Sequence, residues 1–388
     1  MKLLLYSHDW APTIGGVQTI ATILAQGFAS RDRAGSESID VTLVTKTPRG
    51  EMDDMALPYR VVRMPGVWQL ASLLREADLI HLAGPSLVPL ALGWLLRKPV
   101  VVEHHGYNAI CPNGLLFYEP KQTVCPGYFS QRQYLKCIHC NTARDGFSKS
   151  MRMLALTFPR RWLCRRVATN IAVSDHVRVR VDLPRCKVVY HGTAEDLRFG
   201  ISPATSSSVL RFAYVGRLVS IKGLSLILEA AHALRQRHAS FYVDFIGDGP
   251  QRENLQELVA KYALTHEVRF LGFLQGVALQ SSLSDTDVVL MPSIWEETAG
   301  LAAMEFMARG KATIVADIGG LSEIVGDTGL KFPLGNSEAL ADCMSRLIDN
   351  RALVDELGAA ARERAAELFQ GQRMIENHVQ VYRDASKK

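Results

Sequence analysis

Residues 211–236 read RFAYVGRLVSIKGLSLILEAAHALRQ, and this stretch carries the clearest signal of the fold class. A short apolar run (211–215) is followed by a glycine-flanked loop, a helical pattern over 221–236 and a second apolar run at 242–246. Short apolar strands that alternate with helices are typical of a parallel sheet covered by helices on both faces. The stretch therefore predicts one strand–helix–strand unit of a doubly wound α/β sheet.

The same alternation extends along the chain in both directions. Other apolar runs predict strands at 2–7, 39–45, 61–62, 79–82, 99–103, 168–173, 187–190, 268–271, 288–291 and 313–315. Helical patterns fall between them, at 17–28, 67–77, 86–97, 148–166, 250–263, 299–308, 336–348 and 350–385. The chain therefore predicts two Rossmann-like doubly wound domains facing across a cleft, with ligands bound at the carboxyl ends of the strands.

Length and composition suggest where the domains begin and end. A chain of 388 residues suits two or three domains. The small polar stretch 202–208 suits an interdomain linker. We predict an N-terminal domain over 1–200, which contains an irregular cysteine-bearing insertion at 107–147. A C-terminal domain over 201–370 and a C-terminal helix over 371–388 follow.

Charge is distributed unevenly along the chain. The 44 basic and 39 acidic residues give a net charge of +5. Residues 1–200 contain 25 basic and 16 acidic residues, a net charge of +9, whereas residues 201–388 have a net charge of −4. The segment 97–187 holds 16 basic and 5 acidic residues, and five of its arginines lie in or beside the helical pattern at 148–166. Apolar and aromatic residues are interleaved with these arginines. The mixture fits an anionic membrane surface, an anionic acceptor such as a lipid-linked diphosphate sugar, or a solvated helix beside the core.

Several classes of protein are disfavoured. Seven cysteines, an odd number in a long chain, argue against a secreted disulfide scaffold. No stretch has the eighteen or so apolar residues of a membrane span, and the N-terminal apolar run is too short for a signal peptide. No nucleic-acid-binding module is recognisable. The expected location is the cytoplasm, with peripheral attachment to the inner face of the membrane.

Two loops of the predicted C-terminal domain carry charged side chains that suit a phosphorylated ligand. Arg217 and Lys222 lie after the first strand of that domain, where a planar guanidinium and a point charge could clamp a diphosphate. Glu297 follows a later strand, and Glu305 comes eight residues further on among apolar side chains. A buried carboxylate needs a partner, and a sugar hydroxyl is a natural one. Surface charges in a solvated loop, and a structural glutamate bonded to a loop amide, are the alternatives.

A glycine pair marks the start of the first predicted helix. Gly15 and Gly16 come between the first strand and that helix. Glycines let the backbone approach a ligand closely, and a helix N-terminus favours an anion. By itself the pair equally indicates a tight turn.

In their order along the chain, five short motifs resemble those of a family-4 glycosyltransferase, a retaining enzyme with the GT-B fold. The resemblance covers nearly the whole chain, and it implies that the C-terminal helix packs back on the N-terminal domain. The motifs are Gly15-Gly16-Val17, the Arg217…Lys222-Gly223 loop, Gly247-Asp248-Gly249-Pro250, Glu297 with Glu305, and Gly319-Gly320…Glu323-Ile324-Val325.

The resemblance implies a role for each matching position. Arg217 and Lys222 would neutralise the leaving nucleoside diphosphate, and Glu297 would contact the donor sugar near the reacting carbon. Glu305 would hold the donor ribose hydroxyls. Positive groups fixed at the developing charge would make a catalytic divalent metal unnecessary. Backbone at four positions would also bind the donor, at Gly15, Gly16, Gly300 and Leu301.

A histidine pair follows one strand of the N-terminal domain. The resemblance places a histidine here, near the donor sugar and the acceptor, and implies that role for His105, with His104 as the lesser choice. A neutral imidazole could hydrogen-bond a sugar hydroxyl or the acceptor. A structural histidine at a strand end is the alternative.

Two positions depart from the family pattern. Ala299 stands where the family usually has an aromatic residue, and His191 stands where it usually has asparagine before a glycine. These departures bear on the donor sugar and its contacts, and leave the reaction class unchanged.

Four cysteines of the insertion have the spacing C-x13-C-x11-C-x2-C: Cys111, Cys125, Cys137 and Cys140. Four thiolates suit tetrahedral zinc, and an irregular segment of this length needs something to hold it. Buried free cysteines, an iron–sulfur cluster and a cytosolic disulfide are the alternatives. We predict a structural zinc site.

The sequence thus predicts a retaining glycosyltransferase. It would move a sugar from a UDP- or GDP-sugar to a glycan or lipid-linked acceptor, in polysaccharide or glycolipid biosynthesis. A nucleotide-sugar epimerase of the same fold is one alternative, and it would turn over the donor without an acceptor. A non-catalytic protein that binds sugar nucleotides or glycans is the other, and it would bind without turnover.

Overall fold

The computed structural model describes residues 1–13, 15–30, 38–193 and 209–387. The chain forms two compact units. The first comprises Met1–Gly192 together with the C-terminal segment that begins at Gly371, and the second comprises Thr193–Gln370. The predicted domain boundary at 200 and the predicted linker at 202–208 lie outside the described residues.

A seven-stranded sheet forms the centre of the first unit, with the strand order β3-β2-β1-β4-β5-β8-β9. Every neighbouring pair in this sheet is parallel, as predicted. The strands are β1 (Lys2–Ser7), β2 (Asp40–Thr45), β3 (Arg60–Arg63), β4 (Leu79–Ala83), β5 (Val100–His104), β8 (Thr169–Ala172) and β9 (Cys186–Val188). A two-stranded antiparallel hairpin lies apart from the sheet, formed by β6 (Phe117–Tyr118) and β7 (Thr123–Val124).

A six-stranded parallel sheet forms the centre of the second unit, in the order β12-β11-β10-β13-β14-β15. Its strands are β10 (Leu210–Val215), β11 (Phe241–Ile246), β12 (Val268–Gly272), β13 (Val288–Met291), β14 (Ala312–Ala316) and β15 (Leu330–Phe332). Because β10, β13 and β14 are consecutive neighbours, the loops that follow them lie side by side at one edge of the sheet.

Helices follow most of the strands. In the first unit they are α1 (Gly16–Ser30), α2 (Val67–Glu76), α3 (Leu87–Leu95), α4 (Tyr134–Asp145), α5 (Phe147–Cys164), α6 (Asp175–Val181) and α14 (Gly371–Ser386). In the second unit they are α7 (Leu224–Gln236), α8 (Arg252–Lys261), α9 (Gly276–Ser284), α10 (Leu301–Ala308), α11 (Gly319–Val325), α12 (Ser337–Asp349) and α13 (Arg351–Leu368). Within the described part of the chain, none of these helices has the length and apolar character that a membrane crossing requires.

The C-terminal helix belongs to the first unit, as the resemblance implies. Helix α14 packs on α1 and on β5. The approach of α1 and α14 is close, since a Cβ atom added at Gly27 would lie 2.1 Å from Ile375 Cδ1. The α14 side chains Tyr382 and His378 are fully buried against this unit.

One segment differs from the sequence-based prediction. The insertion at 107–147 is not irregular throughout, because α4 occupies its second half. The tail predicted to be helical over 350–385 is two helices separated at Phe369 and Gln370, and the second agrees with the predicted C-terminal helix over 371–388. The amide of Thr193 donates to the Phe369 carbonyl (2.8 Å), and this contact stabilises the break between the helices.

Candidate functional site

The second unit places Lys222 and Glu297 in direct contact. Lys222 Nζ donates to Glu297 Oε1 at 2.8 Å, and the Ser293 hydroxyl donates to the same oxygen in a very short hydrogen bond. The carboxylate side chain is 9% exposed and the lysine side chain 25% exposed. The Lys222 ammonium also lies 5.9 Å from the centre of the Trp295 ring. The pair is therefore a partly buried ion pair that a ligand can still reach.

A glycine allows this pair to form. Gly223 ends the loop after β10 with φ of +66°, and a Cβ atom there would lie 2.1 Å from the carbonyl oxygen of Pro292. Only glycine accepts both the left-handed backbone and the close approach. The amide of Ile294 donates to the Ile221 carbonyl at 3.0 Å, which fixes the loop after β10 against the loop after β13.

The loop after β14 holds the backbone of Glu297. The amide of Gly320, in the first turn of α11, donates to the Glu297 carbonyl at 2.7 Å. Gly319 has φ of +66°, and a Cβ atom there would lie 2.8 Å from the same carbonyl oxygen. The Gly319-Gly320 motif therefore positions the glutamate through the main chain.

Arg217 is placed at the same sheet edge with its side chain exposed. It follows β10, and its carbonyl accepts a hydrogen bond of 2.9 Å from the Tyr214 hydroxyl. Burial raises the pKa of Tyr214, and the charge of Glu297 raises it further. The phenol therefore stays protonated and keeps donating to the loop. An exposed guanidinium beside the Lys222 loop is suited to an incoming anion.

The start of α10 carries the remaining predicted donor contacts. Gly300 precedes the helix with φ of +58°, and Leu301 is its first residue. Glu305 lies one turn further on and is partly buried. Burial raises the pKa of Glu305, and the nearby Arg309 opposes that effect. Arg309 itself donates to the side chain of Gln280 at 2.6 Å, so the glutamate retains hydrogen-bonding capacity for a ligand.

In the first unit, the glycine pair lies at the N-terminus of α1. Gly16 begins the helix, and the Gly15 carbonyl accepts a hydrogen bond of 3.0 Å from the amide of Thr19. Gly16 is exposed. The free amides of a first helical turn favour an anion, as the sequence predicts.

His105 belongs to a buried cluster centred on Glu103. The Glu103 side chain is inaccessible to solvent, and the Nε2 atoms of four histidines lie between 3.2 and 3.6 Å from its oxygens. These are His81 on β4, His105 after β5, His191 after β9 and His378 on α14. The rings of His105 and His191 stack with their centres 5.0 Å apart. The cluster therefore fixes the ring of the predicted functional histidine from two sides.

Hydrogen bonds in the cluster assign two ring tautomers. His81 Nε2 lies 3.2 Å from the Glu103 carboxylate, which only accepts, so this nitrogen carries the proton. His81 Nδ1 then accepts from the Tyr382 hydroxyl at 2.6 Å. His378 Nδ1 donates to the Met374 carbonyl at 2.8 Å, so this nitrogen carries the proton of the neutral ring. Its Nε2, which lies 3.5 Å from Glu103 Oε1, then carries a proton only when the ring is charged.

Titration of the cluster follows from burial and charge. Burial alone would raise the pKa of Glu103, but the imidazoles of His105 and His378 outweigh it and hold the pKa well below its usual range. Burial lowers the pKa of His81 and of His191, and Glu103 opposes the effect. The carboxylate is therefore ionised, and these two rings are neutral at neutral pH.

Two groups of described residues have the ligand types and spacing that a metal ion could use. They are His81, Glu103 and His378, and Glu103, His105 and His191, with the ligand atoms of each group within 4.8 Å of one another. In the first group, the His81 proton already points at Glu103, so that contact is a hydrogen bond. The second group can share a proton or hold a cation.

His104, the lesser choice for the functional histidine, is structural. It is fully buried, and its Nε2 lies 2.9 Å from the Asn170 side-chain oxygen. Burial lowers its pKa to about 4. His104 therefore points into the sheet between β5 and β8, whereas His105 lies beyond the end of the strand.

The four cysteines of the insertion are buried free thiols in the first unit. No three of their sulfur atoms lie within 4.8 Å of one another, although all four are among the described residues. Zinc binding at these cysteines stays a prediction.

Sequence reasoning missed several members of these sites. Glu103 was given no role beside His105, and Ser293 was not considered. A histidine inside the apolar strand β4 was a usable signal for His81. No sequence signal connects His378 or Tyr382 to this strand, since Tyr382 lies 301 residues from its partner His81.

Residues 204–364 match the family model described as Glycosyl transferases group 1. Over 174 residues the chain is 34% identical to the 2-deoxystreptamine glucosyltransferase of Streptomyces kanamyceticus, a match covering 44% of each protein. Over 237 residues it is 26% identical to an uncharacterized glycosyltransferase of Methanocaldococcus jannaschii, covering 57% of this chain and 60% of that protein. The chain thus spans less than two thirds of the length of these curated relatives.

The whole chain is also similar to a solved structure, the Anabaena protein HepE in complex with UDP and glucose. The two agree with a TM-score of 0.71 at 17% sequence identity, over 99% of both chains. At this identity the likeness concerns the fold, which is GT-B, as predicted. Residues 204–364 thus match the model of glycosyl transferases group 1, in a chain that has the GT-B fold.

Proposed function

We propose that this protein is a retaining glycosyltransferase that moves a sugar from a nucleoside-diphosphate sugar to a glycan or lipid-linked acceptor. The observation that carries the proposal is the Lys222–Glu297 ion pair, at the carboxyl ends of adjacent strands of the group 1 domain. This edge of a doubly wound sheet is where ligands bind. The bound UDP and glucose of HepE support a UDP-sugar as the first donor to test, with a GDP-sugar as the second.

The chemistry follows from the charges at this edge. The demanding event is departure of a diphosphate from the anomeric carbon, which places negative charge on the leaving oxygen. Lys222 and Arg217 would receive that charge, and positive groups fixed in advance lower such a barrier. They take the part that a divalent metal could otherwise play, so the proposal needs no catalytic metal.

Lys222 has a partner before the donor arrives. The donor diphosphate would compete with Glu297 for the ammonium group, and the carboxylate would become available to a hydroxyl of the donor sugar. Ser293 would remain on the carboxylate and keep it oriented. The pair is thus prepared for a ligand that brings both an anion and hydroxyl groups.

The remaining donor contacts are assigned by position. The partly buried Glu305 would accept hydrogen bonds from the ribose hydroxyls. The amides at Gly300 and Leu301, before and at the start of α10, would face the diphosphate. For the first unit, the resemblance assigns main-chain contacts with the donor to Gly15 and Gly16.

Transfer with retention would proceed on one face of the sugar. The acceptor hydroxyl would attack from the side that the diphosphate leaves, and the departing phosphate oxygen would take the hydroxyl proton. No protein nucleophile is assigned, because the resemblance gives Glu297 a contact with the donor sugar and not the role of nucleophile. His105 would hydrogen-bond the donor sugar or the acceptor, and Glu103 would position its ring.

A test of the proposal is release of nucleoside diphosphate over a panel of UDP- and GDP-sugars, with and without extracted lipid acceptors. Acceptor-dependent release, insensitive to EDTA, is expected, and the product should keep the anomeric configuration of the donor. Turnover of the donor without acceptor would indicate an epimerase instead. Binding of the donor without turnover under any condition would indicate a non-catalytic protein.

We also propose that an anionic membrane or lipid acceptor approaches the first unit at the α3–α5 face, defined by Trp94, Leu95, Trp162, Arg165 and Arg166. All five residues are exposed, and Leu95 is 65% exposed. The rings of Trp94 and Trp162 pack edge to face at 5.2 Å, and the Arg166 guanidinium lies 3.8 Å from the Trp162 ring centre. The Arg166 guanidinium donates to the Trp162 carbonyl at 3.1 Å and stays exposed. Exposed indoles beside exposed guanidiniums suit an anionic lipid interface.

Two other arginines of α5 have a structural role. Arg160 donates to the carbonyls of Pro85 and Asn108, and Arg161 donates to the carbonyl of Val181 at 3.0 Å. Burial lowers the pKa of both guanidiniums. The basic surface is therefore smaller than the sequence predicts.

Sedimentation with liposomes tests the α3–α5 face. Binding to vesicles with anionic lipid should weaken with salt and should be reduced by Leu95→Asp. The control is Val179→Asp on α6, since Val179 is 60% exposed in the same unit but outside the face. Equal loss in both variants, or no salt-sensitive binding, would contradict the membrane proposal.

A further inference from the structure

The insertion at 107–147 is held in part by apolar burial. Tyr107, Ile110 and Phe117 are at most 2% exposed, and a local cluster joins Phe129 and Cys137 to Leu154 of α5. Regular structure in the insertion is limited to the β6–β7 hairpin, a single 3-10 turn and α4. Long connections between these elements are where a further stabilising contact would act.

Three separate parts of the insertion each bring cysteine to one place. Cys111 lies in a turn where its amide donates to the Tyr107 carbonyl at 2.8 Å. Cys125 directly follows β7, and its amide donates to the Leu116 carbonyl at 2.7 Å. Cys137 and Cys140 lie three residues apart on α4, hence on one face of the helix. Each of the four residues is 5–7% exposed.

Side-chain and strand contacts link these parts of the insertion. The Asn113 side-chain oxygen accepts a hydrogen bond from the Cys111 thiol at 3.0 Å, and the Asn113 amide nitrogen lies 4.0 Å from the Cys140 sulfur. The Cys140 thiol donates to the Phe117 carbonyl at 3.3 Å, and Phe117 pairs with Val124, the residue before Cys125. The segments that carry the four cysteines are therefore neighbours, and deprotonated thiolates there would favour a shared cation.

We propose that Cys111, Cys125, Cys137 and Cys140 bind one structural Zn2+ ion as four thiolates. A tetrahedral site with Zn–S distances of about 2.3 Å brings its sulfurs to about 3.8 Å from one another. No three of these sulfurs are within 4.8 Å of one another in the structure, so binding draws them inward. The Cys111 thiol, which donates to the Asn113 side-chain oxygen at 3.0 Å, would exchange that bond for the metal.

A four-cysteine site is closed and leaves no position for substrate, which makes it structural. Its place in the chain would let the site hold neighbouring segments of the first unit together. The insertion begins two residues after His105, and the Tyr107 amide donates to the Gly114 carbonyl at 2.9 Å within the Cys111 turn. Arg180 of α6 donates to the Cys125 carbonyl at 2.8 Å. The ion would therefore connect α4, the hairpin and the segment that follows His105.

Metal analysis of the untagged full-length protein, produced with zinc and iron both available, tests the proposal. One zinc per chain is expected, without iron or acid-labile sulfide. Protein that contains neither metal and binds no zinc after reduction would overturn the site. Iron with sulfide in place of zinc would overturn the assignment to zinc.

A second measurement uses the wild-type protein, so its result does not depend on whether a cysteine variant folds. Reduced, metal-free protein titrated with Co2+ should develop the intense near-ultraviolet charge-transfer band of thiolate ligation together with tetrahedral visible bands. Added Zn2+ should abolish both. Absence of these bands would also overturn the proposal.

The variant Cys137→Ser/Cys140→Ser should lose the zinc, and Cys343→Ser in the second unit should retain it in full. Cys343 is a free, partly buried cysteine, which makes it a matched control. Zinc loss that is equal in the two proteins would place the metal elsewhere. Loss of zinc should also leave binding of UDP to the second unit unchanged, so failure here is distinguishable from failure of the proposed glycosyl transfer.

Discussion

Two buried carboxylates in this protein differ in the nitrogen groups around them. Glu103 in the first unit is inaccessible to solvent, with imidazole nitrogens between 3.2 and 3.6 Å from its oxygens. Glu297 in the second unit is nearly as buried, but its partner is the Lys222 ammonium at 2.8 Å. Burial lowers the pKa of His81 and His191 beside Glu103, so their protonation changes below neutral pH. We therefore expect pH to act on the first centre and a competing anion to act on the second.

The largest expected effect is at the second centre. Lys222→Ala should lower kcat by about a thousandfold, because removing one preorganised positive group at a developing charge costs 10²–10³ or more. Initial rates of diphosphate release under saturating donor measure it. The control is Lys261→Ala, which removes an exposed lysine of α8 in the same unit and should leave the rate unchanged. Normal activity in Lys222→Ala, Arg217→Ala and Glu297→Ala alike would refute the mechanism.

The next effect is on stability at the first centre. Glu103→Ala should destabilise the first unit by about 3–5 kcal/mol, since it removes the charged member of a buried network and leaves the imidazoles without their acceptor. Glu103→Gln should cost less, because the amide oxygen still accepts a hydrogen bond. Urea denaturation followed by fluorescence measures the difference. Glu76→Gln, at an exposed glutamate of α2, should have no effect, and an equal loss there would contradict the assignment.

Acid should destabilise the first unit through its buried histidines. Folding lowers the pKa of His104 from about 6.5 to about 4, so the unfolded chain binds more protons between these values. Stability is therefore present above pH 6.5 and is lost as the pH falls, by roughly 3 kcal/mol over the full range for this one residue.

Thermal unfolding from pH 7 to pH 5 checks this dependence. His104→Gln keeps a donor for Asn170 but cannot titrate, so the slope of the unfolding temperature with pH should be shallower in this variant. A slope equal to that of the wild type would show that His104 does not carry the effect. His81 and His191 should contribute in the same direction, because burial lowers their pKa as well.

The smallest effect should come from the C-terminal helix. Tyr382→Phe removes the hydroxyl that donates to His81 Nδ1 at 2.6 Å and should cost about 1–2 kcal/mol of stability. The ring tautomer of His81 is then no longer fixed, which nitrogen-15 NMR of the imidazole would detect. An unchanged tautomer in this variant would show that the Tyr382 hydroxyl does not orient the His81 ring, even if the variant is less stable.

The fold was predictable because its signals are local. The alternation of apolar strands with helices indicated two parallel sheets, and both are present. Glycines of the loops after β10 and β14 were also singled out by motif, and Gly223 and Gly319 adopt left-handed backbone at the N-terminal ends of α7 and α11. Helix α4 was missed because polar and cysteine residues dominate its sequence, and its helical form depends on packing against α5.

The candidate site was predictable only in part. Arg217, Lys222 and Glu297 were each placed at strand ends by motif, but the contact between the last two joins residues 75 apart in sequence. The group around Glu103 was not predictable, because it unites β4, β5, the residues after β9 and α14. Its members become neighbours only when the sheet order and the return of the C-terminal helix are known.

The sequence by itself determined the class of fold, the positions of the cations and carboxylates along it, and the spacing of the four cysteines. These features depend on the spacing of apolar residues, the positions of glycines and the types of residue, all of which can be read over a few residues of sequence. The tertiary structure alone decided that Glu297 is paired with Lys222, that His104 is structural, and that Glu103 with four histidines forms one buried centre. Hydrogen bonds, burial and pKa depend on groups brought together from distant parts of the chain, and no local pattern encodes that proximity.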